Sequence, residues 1–132
     1  MVTFSHTLFY VKDIAKIIEF YEKAFGIEAK LVHESGLYAE LNTGGTTLAF
    51  ADEALGKENL PEGFHPNNLG KMPSACEIVF TVKDVHKAYE HAVAMGAIAL
   101  VPPKQKPWGQ TVAYVRDPCG VLIEIASLMV QE

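Results

Sequence analysis

Cysteine is scarce in this chain. Only Cys76 and Cys119 occur, far apart and in no metal-type pair, so reduced thiols in a cytoplasmic setting are expected rather than a disulfide framework. A basic footprint is missing as well. Lys and Arg number 11 against 16 Asp and Glu, a net charge of −5 with no long block of one sign, which argues against nucleic-acid and anionic-membrane partners. No stretch approaches the ~20 apolar residues needed to span a bilayer. Near the start, Ser5, His6 and Lys12 interrupt the apolar segment that a signal peptide would need. The 132 residues that remain to be explained suit one domain burying roughly two thirds of its unfolded surface.

The most informative feature present is a repeat. Phe9-Tyr10-Val11-Lys12-Asp13-Ile14 returns as Phe80-Thr81-Val82-Lys83-Asp84-Val85, and a shift of 71 residues (80 − 9) superimposes them. The first copy begins with a strand over Phe4 to Val11. Asp13 then suits a helix N-cap, with Ile14, Ile17, Ile18, Tyr21 and Phe25 at helical spacing and Gly26 as the left-handed stop. Strands follow over Ala29–His33, Leu37–Leu41 and Thr46–Ala51, separated by turn-forming Ser35-Gly36 and Asn42-Thr43-Gly44-Gly45. The second copy places a strand over Cys76–Val82 and a helix capped by Asp84 and stopped at Gly96. Three more strands follow over Ile98–Pro102, Gln110–Arg116 and Val121–Ser127. Between the copies, the density of Gly and Pro from Asp52 to Ala75 predicts a long connecting loop. The organisation is thus α+β, with a first βαβββ module over 1–52, a connection over 53–75 and a second module over 76–132.

Strand alternation assigns the faces. Ile78, Phe80 and Val82 take the helix side, which leaves Glu77 on the other. In the same way His6, Tyr38, Glu40, Tyr114, Arg116 and Glu124 fall on the face opposite the helices. Aromatic walls with a few convergent polar groups are how small-molecule pockets are built. Trp108, in Pro107-Trp108-Gly109, lines the mouth of such a pocket or packs beside the last hairpin. Glu40 is placed as a general base or as an ordinary ion-paired strand residue. His65, in Phe64-His65-Pro66, belongs to a lid or is a loop histidine with no chemical role; His33, His86 and His91 lack ligand-like spacing, and Cys119 in a turn is no evidence of a nucleophile.

The doubled βαβββ order, the strand ends Val11 to Asp13 and Val82 to Asp84, the Phe20-Tyr21 pair and the closing Asp117-Pro118-Cys119-Gly120-Val121-Leu122-Ile123-Glu124 resemble the vicinal oxygen chelate superfamily. That group includes glyoxalase I, extradiol dioxygenases and bleomycin-resistance proteins. The resemblance covers nearly the whole chain and implies a curled mixed sheet around a central cup, with the helices outside. It also implies a homodimer, a small-molecule ligand or substrate, and no organic cofactor.

Carried over strand by strand, the resemblance makes His6, Glu77 and Glu124 a metal-ligand set, with Glu77 where metal-dependent members usually have histidine. A fourth ligand of glyoxalase I falls on Ala49 (49 − 45 = 124 − 120), which cannot ligate. One imidazole and two carboxylates suit Mn, Fe or Mg better than Ni or Zn. Without a metal, the two carboxylates would raise one pKa or pair with Arg116. Two functions are implied. One is a metal-dependent lyase or isomerase acting on an oxygen-chelating substrate such as a hemithioacetal, with Glu77 or Glu124 moving the proton. The other is a metal-free binding protein of the bleomycin-resistance type, clamping an antibiotic or aromatic ligand between Tyr38, Trp108 and Tyr114. An iron oxygenase would require a second histidine where Glu77 stands.

Overall fold

A computed structural model describes residues 1–129. The chain folds as two compact units, Met1–Asn67 and a second that begins at Asn68, each built on a four-stranded mixed sheet.

In the first unit β1 (His6–Val11) leads into α1 (Ile14–Phe25), and β2 (Ala29–Val32), β3 (Tyr38–Leu41) and β4 (Thr47–Asp52) complete the sheet in the order β1-β4-β3-β2. β1 and β4 run parallel, while β3 pairs antiparallel with β4 and with β2. The anticipated capping holds. The Asp13 side chain accepts from the Lys16 amide at 3.1 Å, and Gly26 sits at φ 70 with its own N–H returned to the last turn. The Ile17 and Tyr21 face of α1 is fully buried, and Tyr21 lies 5.2 Å from Phe50 of β4 between ring centroids. Burying rings of this size supplies much of a small core.

The second unit repeats the plan. β5 (Glu77–Val82) is followed by α3 (Val85–Ala94), β6 (Ile98–Gln105), β7 (Thr111–Arg116) and β8 (Leu122–Ser127), in the sheet order β5-β8-β7-β6. Asp84 caps α3 by accepting from the Lys87 amide at 3.1 Å. Ile123, Ile125, Ala113 and Val115 form the buried floor with Val85 and Ala92 of the helix. The Asp117 carboxylate accepts from the amides of Cys119 (2.8 Å) and Val121 (3.0 Å), and Gly120 at φ 99 closes the turn into β8.

Three expectations need correction. The strand before α1 starts at His6 rather than Phe4, and β6 runs on through Pro102 and Pro103 to Gln105. Prolines are tolerated there because β6 is an edge strand, paired only with β7 and irregular between Val101 and Lys104. The connection after β4 is also not all loop. It contains α2 (Glu53–Asn59), with the Asp52 side chain accepting from the Ala54 amide at 2.8 Å. Gly56 reads as a breaker in the sequence, yet it is a packing residue. A Cβ there would lie 2.7 Å from the Phe64 ring and 2.9 Å from the Tyr10 ring.

Candidate functional site

Strand register decides which side chains share a face. In the first sheet His6 pairs with Thr47, and Leu8 with Ala49, which pairs in turn with Glu40. Tyr10 pairs with Ala51, which pairs with Tyr38. These residues form the face away from Phe50 and α1. Along it the central strand β4 offers Thr47, Ala49 and Ala51, none larger than threonine, between taller side chains from β1 and β3.

Two of those taller side chains meet. His6 Nε2 lies 3.1 Å from Glu40 Oε2, and the Tyr38 hydroxyl donates to the same oxygen at 2.7 Å. On the other side of the ring, His6 Nδ1 lies 2.8 Å from Ser5 Oγ. The hydrogen bonds from Tyr38 and His6 hold the Glu40 carboxyl below its ordinary range. Burial, with Glu40 behind it, pushes the Tyr38 phenol up to about 12. At the far end of this face Tyr10 stacks on Phe64 with ring centroids 5.1 Å apart.

The second unit carries a different pair on the corresponding face. Glu124 of β8 stands opposite Val79 of β5 on one side and Tyr114 of β7 on the other. The Tyr114 hydroxyl donates to Glu124 Oε1 at 2.8 Å. Glu77 hydrogen-bonds Glu124 as well. Burial first, then the neighbouring Glu124 charge, then that bond raise the Glu77 carboxyl above the usual carboxylate range. Tyr114 is pushed up to about 12 by its bond to Glu124 and by burial, since its ionised form would face Glu124 with no proton to share. One carboxyl of the pair thus retains a proton to higher pH while the other accepts from a tyrosine.

The remaining residues singled out in the sequence, Arg116 and Trp108, have other surroundings. Arg116 is 5% exposed, and its guanidinium donates to the backbone carbonyls of Gly120 (3.0 Å), Lys71 (2.7 Å) and Asn68 (3.1 Å). It is engaged with main chain rather than with either carboxylate. Trp108 is 62% exposed, its indole N–H donating to Gln110 Oε1 at 2.9 Å. Two partnerships were not legible beforehand, Ser5 with His6 and Glu40 with His6. The second depends on where β1 lies in the sheet, and parity along a single strand carries no such information, whereas the first is a contact between neighbours in sequence.

The donors are chemically suited to a hard divalent cation, being one imidazole and several carboxylates. They stand as a His6–Glu40 pair in one unit and a Glu77–Glu124 pair in the other. Among the described residues no group of three or more His, Cys, Asp or Glu is arranged to hold a metal ion. No chemical step is assigned to a metal. No described helix is long and apolar enough to cross a membrane.

A family model described as the Glyoxalase/Bleomycin resistance protein/Dioxygenase superfamily matches residues 3–125. The chain is 30% identical over 122 residues to an uncharacterised protein of Mycobacterium bovis, spanning 83% of this chain and 73% of that one. The counterpart in Mycobacterium tuberculosis is longer, and the chain covers 65% of it. A probable lactoylglutathione lyase of Vibrio cholerae is 30% identical over 125 residues, covering 91% of this chain and 86% of its own. Among solved structures, a glyoxalase-related enzyme from Fulvimarina pelagi superimposes with a TM-score of 0.84 at 21% identity, over 97% of this chain and 89% of that one. At that identity the likeness concerns the fold alone.

Proposed function

The chain belongs to the glyoxalase/bleomycin resistance protein/dioxygenase superfamily, and on that footing we propose that it is a lyase or isomerase moving a proton on a small substrate with neighbouring oxygens, a hemithioacetal being the representative case. The observation that carries this reading is the Glu77–Glu124–Tyr114 arrangement, a carboxyl raised above its ordinary range and bonded to a second one that accepts from a phenol. Superfamily membership and the probable lyase of Vibrio cholerae support the substrate class.

Each residue then has a role. Glu124 takes the proton from the carbon beside the carbonyl, while Glu77 gives one to the carbonyl oxygen, so that a neutral enediol forms. The proton on Glu124 returns to the adjacent carbon, and Glu77 recovers one from the hydroxyl that becomes the new carbonyl. Tyr114 holds the orientation of Glu124 throughout. Positioned acid–base groups of this kind contribute about 10²–10⁴-fold. The ligand is a small molecule, and a homodimer is the assembly we infer, oligomers being common in the superfamily.

The test is turnover of the methylglyoxal–glutathione hemithioacetal by wild type and Glu124→Gln. A loss of about 10²–10⁴ in kcat is expected; unchanged turnover in the variant would remove Glu124 from the chemistry. A second reading, a ligand-binding protein of the bleomycin-resistance type, is favoured by Ala49 in place of a fourth ligand and by the 62% exposure of Trp108. It predicts quenching of Trp108 fluorescence by flat aromatic ligands, with no turnover of any hemithioacetal by wild type.

A further inference from the structure

Tyr10, on the open face of the first unit, is covered by a ring from its own chain. Phe64 stacks on it with centroids 5.1 Å apart and planes 27° from parallel. Both rings lean over Gly56 of α2. A Cβ there would lie 2.7 Å from Phe64 Cε1 and 2.9 Å from Tyr10 Cγ and Cδ1, so the missing side chain is the gap that the stack fills. The wall of this gap belongs to the fold. Gly56 is buried, the Asp52 carboxylate caps its helix, and Asn59 Nδ2 at the end of that helix donates to the Tyr10 hydroxyl at 3.5 Å.

Phe64 is held far less firmly. It is half-buried, His65 and Pro66 after it are exposed, and among the described residues no backbone hydrogen bond reaches residues 64–66. The last such bond before them runs from the Gly63 amide to the Leu60 carbonyl at 2.8 Å. Ring contact is therefore what fixes Phe64. A stack of this kind shifts an equilibrium roughly 2- to 12-fold beyond the area it covers, and exposed stretches with few backbone bonds open locally at low cost. The gap shows by its occupant what it accepts, a flat six-membered ring laid on Tyr10. Charge narrows the class further. Over residues 52–66, Asp52, Glu53, Glu58 and Glu62 stand against Lys57, which opposes an anionic ligand.

We propose that Tyr10 and the gap at Gly56 form a binding slot for one uncharged, flat aromatic ring of a small-molecule ligand, and that Phe64 is a displaceable latch filling that slot until the ligand takes its place. A tethered latch competes at high effective concentration, so it lowers the apparent affinity in proportion to the time it spends closed. The slot lies wholly in the first unit and is independent of the acid–base chemistry proposed for the second.

An NMR titration of the full chain with indole tests this, in wild type, Phe64→Ala, Tyr10→Ala and Trp108→Ala. Indole should move the Phe64 ring resonances of wild type toward those of an exposed phenylalanine. Phe64→Ala should bind indole roughly 2- to 12-fold more tightly than wild type, Tyr10→Ala should lose binding, and Trp108→Ala should match wild type. Indoleacetate, flat but anionic, and cyclohexanol, uncharged but not flat, should each bind more weakly than indole. Unchanged or weaker binding by Phe64→Ala would overturn the latch, because Phe64 would then be a wall of the site or no part of it. Binding that survives Tyr10→Ala, or is lost in Trp108→Ala, would put the ring elsewhere and overturn the slot, as would no binding at all by Phe64→Ala. Should Tyr10→Ala fail to fold, the wild-type resonances decide, and a Phe64 ring that does not respond to saturating indole overturns the proposal.

Discussion

Glu77 shows how much of a residue's behaviour comes from its neighbour. Its carboxyl is raised by burial and by Glu124, so the folded state retains a proton that the unfolded chain releases near the ordinary value of 4.5. A raised acid stabilises the fold while protonated. That contribution is present below the unfolded pKa and fades as pH climbs through the higher folded value. Glu77→Gln keeps the shape and removes the repulsion. Calorimetry at stepwise pH should therefore show the variant gaining thermal stability relative to wild type as pH rises above about 4.5. A difference that does not change with pH would mean that Glu77 and Glu124 do not interact. At this scale the sequence was partly legible. Alternation alone put Glu77, Glu124, Tyr114, Tyr38, Glu40 and His6 on the open faces, because parity is a local property of a strand. Which of them bond was not legible, since Glu40 meets His6 only through the placement of β4 between β1 and β3.

Among the elements, α1 and α3 were readable because each combines an aspartate cap, a periodic apolar face and a glycine soon after its end. The helix α2 was not, and the reason lies at Gly56. A glycine amid prolines signals a loop unless a neighbouring ring demands the space, and that demand is tertiary. Gly56→Ala should gain about 1 kcal/mol in helix propensity and lose about 1–3 kcal/mol by pushing on Tyr10 and Phe64, which a Cβ would approach to 2.9 and 2.7 Å. A net loss in urea unfolding is the expected result. A stabilised variant would show that the Tyr10–Phe64 stack yields freely.

For the molecule as a whole, Arg116 joins parts of the second unit that are distant in sequence. Its guanidinium binds the carbonyls of Asn68 and Lys71, in the segment before β5, and that of Gly120 in the turn before β8. Arg116→Met preserves the bulk and leaves the Gly120 and Lys71 carbonyls without the guanidinium, while the Asn68 carbonyl keeps the Lys71 amide at 3.0 Å. Unpaired buried carbonyls cost roughly 1–3 kcal/mol each. Because the 68–71 acceptors can turn toward water, a total loss of about 2–4 kcal/mol is expected in denaturant unfolding. Hydrogen exchange should quicken around residues 68–71. Unaltered exchange there would mean that the segment is held by other contacts.

Some properties of this protein follow from the chain read in one dimension. The doubled βαβββ order, the helix caps and the choice of face for each strand residue all depend on local periodicity and on turn chemistry repeated 71 residues apart (80 − 9). Others required the folded chain. The parallel placement of β1 against β4, and of β5 against β8, decides that His6 answers to Glu40 while Glu77 answers to Glu124. Hydrogen bonds and charge interactions act through distances of a few ångströms. Residues 34 positions apart, as His6 and Glu40 are, acquire such distances only when a sheet sets their strands side by side.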